Sequence, residues 1–162
     1  MKNVVNFKSI LFALAVVAVA FTGCKEDKDD TKADKTGMLT EKQWVATAIT
    51  IDPAIDWFGN GTLVTNIFAQ LPACAKDDLT IFRKNGTVVF DEGGSKCSAN
   101  DPQTRSGLWT FNPDQTVISV TEDGETNSWN ILEFNNDRIK VEFSVEDEGI
   151  TYTLTSTYVV KK

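Results

Sequence analysis

The chain has 162 residues, with 23 acidic against 16 basic side chains, a formal charge of −7 and no histidine. Such a balance disfavours nucleic acid and anionic headgroups as partners. It also removes the commonest general base near neutral pH and the commonest metal ligand, so no cofactor and no metal are expected.

The first 23 residues have the layout of an export signal. Lys2 and Lys8 supply a positive start, and Ile10 to Phe21 is an unbroken apolar run of twelve residues. That suits a signal-peptide core and falls short of the about 20 residues a membrane span needs. Thr22-Gly23-Cys24 follows, and small residues there let a peptidase reach the backbone at Cys24. The arrangement resembles the bacterial lipobox, with Phe21 standing where leucine is usual. The resemblance implies lipid attachment at Cys24: a diacylglyceryl group on the thiol, cleavage, then palmitate-type acylation of the new amino terminus. Acyl chains contribute about 0.8 kcal/mol per buried CH₂, and two signals suffice for firm membrane anchoring. The alternative is an ordinary signal peptide in which Cys24 is a bystander.

Residues 24–38 read as a tether. They are rich in Asp, Lys, Thr and Glu, and no large apolar side chain appears before Met38. Such a segment cannot bury enough surface to offset the entropy of ordering, so disorder is expected. Asp27, Asp29 and Asp34 lack the fixed spacing, central glycine and closing glutamate of a calcium loop. Lys25-Glu26-Asp27 resembles the signal that sends lipoproteins of Bacteroidetes-type bacteria to the outer face of the outer membrane. It implies a cell-envelope, surface-exposed location. Cys74 and Cys97 then remain as an even pair in an exported chain and read as one disulfide, worth about 3 kcal/mol on the loop-entropy account.

Residues 39–160 are long enough for one domain with its own core. Thr40 is expected to cap a helical turn over Glu41-Lys42-Gln43. Trp44 to Ile51 is rich in Val, Ile and Thr and suits a strand, which Pro53 is expected to stop. In residues 54–73, Leu63 to Phe68 fits a strand, or a short helix with Leu63, Ile67 and Leu71 on one face. A covering helix or irregular excursion is the favoured reading.

Regular strands follow. Leu79 to Arg83 and Thr87 to Asp91 flank Lys84-Asn85-Gly86, a tight-hairpin signal. Further strands are expected at Ser106 to Asn112, Thr116 to Thr121, Ser128 to Phe134, Arg138 to Val145 and Ile150 to Val160, separated by Asn, Asp, Gly and Pro turns. In Arg138 to Val145 the apolar Ile139, Val141 and Phe143 alternate with Arg138, Lys140 and Glu142, a strand dry on one side. About eight short antiparallel strands point to an all-β, closed or nearly closed barrel, and closure disposes of exposed edges.

The order Cys74-x-x-Asp77-Asp78, Phe82-x-x-Asn85-Gly86-Thr87, Cys97 and Gly107-x-Trp109 resembles the lipocalin-like domain of small Bacteroidetes lipoproteins. The resemblance implies an up-and-down barrel of about eight strands over residues 39–160, with Trp44 near its closed end and Cys74 bridged to Cys97. One departure is Lys42-Gln43-Trp44 where the superfamily commonly carries Gly-x-Trp, so the closed end is expected to be built differently.

Trp109, Phe111, Trp129, Ile131, Val141, Phe143, Leu154 and Tyr158 lie at spacings that suit inward-facing positions. An eight-stranded interior can be filled by side chains or can hold one small ligand. If it holds a small apolar ligand, Trp109, Phe111, Trp129, Phe143 and Tyr158 are the candidate contacts. Trp57 and Phe58, inside Asp56-Trp57-Phe58-Gly59-Asn60-Gly61, either lie back as a lid or project toward a cell-surface protein or glycan. Catalysis has little support. The acid pairs Asp77-Asp78, Asp91-Glu92 and Glu122-Asp123 sit at expected turns and strand ends, where neighbours point apart. Asp78 is expected to accept backbone hydrogen bonds at a turn. Ser95 and Ser98 have no histidine to activate them, and no Gly-x-Ser-x-Gly elbow exists.

Overall fold

The structure, a computed structural model, describes residues 34–162. The export signal, the lipid-attachment residue Cys24 and most of the expected tether lie outside the described residues. The described part begins with α1 (Lys35–Leu39), whose first turn is capped by the Asp34 carboxylate accepting from the Thr36 N–H at 3.0 Å. The helix precedes Thr40 instead of following it. Thr40 ends it, donating its backbone N–H and its hydroxyl to the Thr36 carbonyl, and Glu41 then turns the chain with φ +59°. Lys35 to Met38, assigned to the tether from composition alone, are therefore helical. Lys35 reaches Gln115 through both its backbone N–H (3.1 Å) and its ammonium (2.7 Å).

The rest is a meander: β1 (Trp44–Ile55), β2 (Val64–Asn66), α2 (Ile67–Gln70), α3 (Ala73–Lys76), β3 (Leu79–Phe82), β4 (Thr87–Asp91), β5 (Thr104–Phe111), β6 (Val117–Glu122), β7 (Glu125–Phe134), β8 (Arg138–Asp147) and β9 (Ile150–Val160). From β3 to β9 each strand pairs antiparallel with the next. The first strand pairs with both β3 and β9, which closes the sheet on itself. The result is an all-β, closed, eight-stranded antiparallel barrel of lipocalin type, with β2 as a short extra strand on the far half of β1.

Two expectations for the first third of the chain are corrected. Pro53 does not stop the first strand, which continues to Ile55. Proline lacks a donor, but regular pairing with β9 ends at Asp52, and the register with β2 is broken between Thr50 and Ile55. No ladder bond is lost there. Residues 54–73 hold both a strand and a helix. Asn66 caps α2 through its side chain (3.1 Å to the Ala69 N–H), and the helix ends before Leu71-Pro72, since a residue preceding proline avoids helical backbone. Ile67 is buried but Leu63 is exposed, so the three-residue apolar face read from the sequence does not form.

The core runs along the barrel axis. Leu39, Trp44, Phe82, Val88, Trp109, Ile118, Trp129 and Val141 belong to one buried cluster, with Phe111, Ile131, Phe143 and Tyr158 packed against it; Leu154 stands partly exposed outside it. Trp109 meets Phe82 and Phe111 edge-on at 5.4 Å. Gly107 has a packing reason: a Cβ there would lie 2.3 Å from the Thr121 carbonyl oxygen on β6, so only glycine fits.

Candidate functional site

The two ends of the barrel are finished differently. At the closed end, Trp44 is 1% exposed, and its indole N–H donates to the Leu39 carbonyl at 2.9 Å. The Lys42 ammonium lies 5.7 Å from the Trp44 ring centre, and it also donates to the Asn136 carbonyl at 2.6 Å. Trp109 donates its indole N–H to the Arg83 carbonyl at 2.9 Å. Here α1 and Lys42 replace the missing glycine of the Gly-x-Trp pattern. The tryptophans keep their hydrogen bonds, and the end is filled.

At the other end lies a cavity of about 310 Å³, walled by Trp129, Tyr158 and Phe90 and by Ala46 and Ile49 of β1. Trp129 stacks on Tyr158 (5.9 Å, 8° between planes) and on Phe143 (6.1 Å, 25°), which holds both rings upright in the wall. Burial pushes the Tyr158 hydroxyl above the usual phenol range, with a hydrogen bond to Ser156 pulling the other way. The roof is Leu71 and Ala75. It is tied down by the Cys74–Cys97 disulfide, which joins α3 to the β4–β5 loop with a Cα–Cα distance of 5.2 Å. Beside the bridge, the Asp77 carboxylate accepts from the Gly94 N–H (2.8 Å) and the Ser95 hydroxyl (3.1 Å), and these bonds hold it below the usual carboxylate range. Gly93, with φ +67°, lets the loop approach: a Cβ would lie 2.2 Å from the Asp77 carbonyl oxygen.

The rim is charged. Asp78, Asp91, Glu92 and Arg105 all line the cavity. Arg105 pairs with Glu122 at 2.7 Å and lies over the Phe90 ring. Asp91 accepts from the Gly93 N–H (2.9 Å) and the Gln103 side chain (2.8 Å). Asp78 is different. Its Oδ1 is buried and accepts no hydrogen bond. The turn-bonding role read for Asp78 belongs to its neighbour Asp77, because the chain enters β3 at this point and turns successive side chains to opposite sides.

Of the five candidate ligand contacts, Trp129 and Tyr158 face the cavity. Phe143 buttresses Trp129 from behind. Trp109 and Phe111 line a separate, more open pocket of about 380 Å³ on the outside of the closed end, beside Thr36, Pro113 and Gln115. Trp57 and Phe58 are 47% and 54% exposed, on a loop whose Asp56 carboxylate accepts from the Asn60 (3.0 Å) and Gly61 (2.7 Å) N–H groups. They project; they are not a lid. Sequence reasoning missed Phe90, Asp78 and Arg105. A usable signal existed for two of them: Arg105 shares the alternation of Trp109 and Phe111 on β5, and Phe90 that of Val88 on β4. Among the described residues no cluster of His, Cys, Asp or Glu is arranged to hold a metal ion.

A closed eight-stranded barrel with one filled end and one hollow, aromatic-walled end has the form of a calyx. A family model described as "Lipocalin-like domain" matches residues 40–141, most of the barrel, and the chain belongs to that family. Its members are non-catalytic transport and binding proteins, and the fold supports binding of a small hydrophobic ligand. Among solved structures, bovine odorant binding protein complexed with its natural ligand is similar at 15% identity and a TM-score of 0.43, over 77% of this chain and 72% of that one. "Odorant Binding Protein OBP1" is similar at 12% identity and a TM-score of 0.42, over 76% and 72%. Comparison with curated proteins finds no match.

Proposed function

We propose that the chain is a lipid-anchored lipoprotein of the outer membrane, exposed at the cell surface, whose barrel takes a small apolar ligand in the cavity at its open end. The observation that carries the ligand reading is the cavity itself: about 310 Å³, opening beside Trp129, Tyr158 and Phe90. Pockets for small molecules have this form, a few hundred Å³ of largely apolar wall with a few polar groups set in it. The anchor reading is supported by the sequence Phe21-Thr22-Gly23-Cys24, and the surface location by Lys25-Glu26-Asp27, which resembles the Bacteroidetes-type export signal.

Two experiments test these parts separately. Small apolar probes should change the fluorescence of Trp129, and Ala75→Phe, which fills the space beneath the roof without adding a further indole, should abolish that response in a protein that still folds. A response that survives filling would place the ligand elsewhere. For the anchor, mass spectrometry of protein taken from membranes should find an acylated amino-terminal Cys24. A mature product that starts at another residue would contradict it.

One observation favours a second reading. The exposed Trp57-Phe58 loop, with Leu63 also exposed nearby in sequence, is an apolar projection of the kind used to contact a cell-surface protein or glycan. In that reading the barrel is a structural support and the loop is the working surface.

A further inference from the structure

We infer that the ligand of the open-end cavity is a small amphipathic organic cation, its ammonium group held by Asp78 and its apolar or aromatic tail lying against Trp129 and Phe90. The inference rests on the calyx reading above and adds to it the ligand's charge and the residue that selects it.

The polar groups of the cavity differ in what they already hold. Arg105 is matched by Glu122, and the Oδ1 of Asp91 accepts from both Gly93 and Gln103. Asp78 lines the same cavity with Oδ1 buried and accepting nothing. A buried acceptor without a donor is costly to leave so, and more costly when it is ionised. A ligand donor seated there would relieve that cost and form a charge-assisted hydrogen bond.

The sign of the donor follows from the surroundings. Asp78, Asp91 and Glu92 bring three carboxylates to the cavity against one guanidinium, whose charge Glu122 answers from β6. A carboxylate ligand would meet like charge; an ammonium would meet its opposite. The walls agree, since the faces of indole, phenol and phenyl rings attract cations. Burial pushes the Asp78 carboxyl above the usual range. Glu92, Asp77 and Asp91 add to this, and Arg105 opposes it. The site thus holds an under-compensated anion beside an apolar wall, and an amphipathic cation complements both features.

Isothermal titration of the full chain with 4-phenylbutylamine, 4-phenylbutanol and 4-phenylbutyrate tests this, because the three probes share a tail and differ in the head. The amine should bind about tenfold tighter than the alcohol, the gain of one charge-assisted hydrogen bond over a neutral one, with the carboxylate weakest. Asp78→Asn should bring the amine down to the alcohol's affinity. Acidification should weaken the amine as Asp78 takes up a proton, in a pH window above the ordinary carboxylate range, and should spare the alcohol. Equal binding of amine and alcohol, tighter binding of the carboxylate, or a preference for the amine that survives Asp78→Asn would overturn the inference while leaving the calyx reading intact. No binding of any of the three would overturn both.

Discussion

The two ends of this barrel are built from the same kinds of residue and do opposite things with them. At the closed end Trp44, Phe82 and Trp109 pack together under α1, and both indole N–H groups there meet backbone carbonyls at 2.9 Å. At the open end Trp129 and Tyr158 stand stacked in a wall, a cavity opens in front of them, and the buried Oδ1 of the neighbouring Asp78 accepts no hydrogen bond. An aromatic side chain on an inward-facing strand position therefore does not by itself distinguish core from site. The satisfaction of the polar atoms around it does.

The largest effect should come from breaking the closed end. Trp44→Ala removes the largest fully buried side chain and strands the Leu39 carbonyl. It should cost about 3–5 kcal/mol in urea denaturation. A loss below 1 kcal/mol would mean that the end is not packed as described. Next comes the strap over the open end. Replacing Cys74 and Cys97 with serine opens a loop of sequence separation 23 and should cost about 3 kcal/mol. The same change should weaken probe binding, because Ala75 of the roof adjoins Cys74 in sequence. Unchanged probe affinity in the disulfide-free protein would show that the roof plays no part in holding the ligand.

A smaller effect, with an informative sign, is expected at Asp78. Its carboxyl is raised in the folded chain, so the native state disfavours the charged form. Stability should fall as pH rises through the window between the unfolded and the folded pKa. Asp78→Asn should therefore stabilise the free protein near neutral pH, by less than about 1 kcal/mol because the group is partly in solvent, and should make no difference in acid, where both states are protonated. Destabilisation by this change at neutral pH would indicate a structural partner for Asp78. The smallest effect is predicted for the exposed loop. Trp57→Ala with Phe58→Ala should change stability by no more than about 0.5 kcal/mol, as side chains on a projecting surface do. If the loop is a working surface, the double change should abolish partner binding all the same.

Strand alternation made most of the barrel legible. From Leu79 onward, each tight hairpin is marked by Asn85-Gly86, Asn112-Pro113, Asp123-Gly124, Asn135-Asn136-Asp137 or Glu148-Gly149, and period-two apolar residues mark the faces. The region from Pro53 to Lys76 was less legible for a physical reason. Its structure depends on where β9 stops pairing and on two helices of four residues each, too short to carry a periodic signal. The site was half legible. Trp129 and Tyr158 follow from alternation, whereas the cavity in front of them depends on Ala46 and Ile49 across the barrel and on Ala75 in the roof. The turn-bonding role expected of Asp78 falls to Asp77, because only the three-dimensional loop shows which of two adjacent carboxylates meets Gly94.

The most direct test of a hollow open end against a filled closed end uses the four tryptophans as reporters. Their indole N–H resonances sit at the closed end (Trp44, Trp109), in the cavity wall (Trp129) and on the exposed loop (Trp57). In a titration of the ¹⁵N-labelled chain with 4-phenylbutanol, the account predicts that the Trp129 signal moves and saturates while those of Trp44, Trp109 and Trp57 stay in place. Movement confined to Trp57, or at Trp44 and Trp109 with Trp129 unmoved, would contradict it.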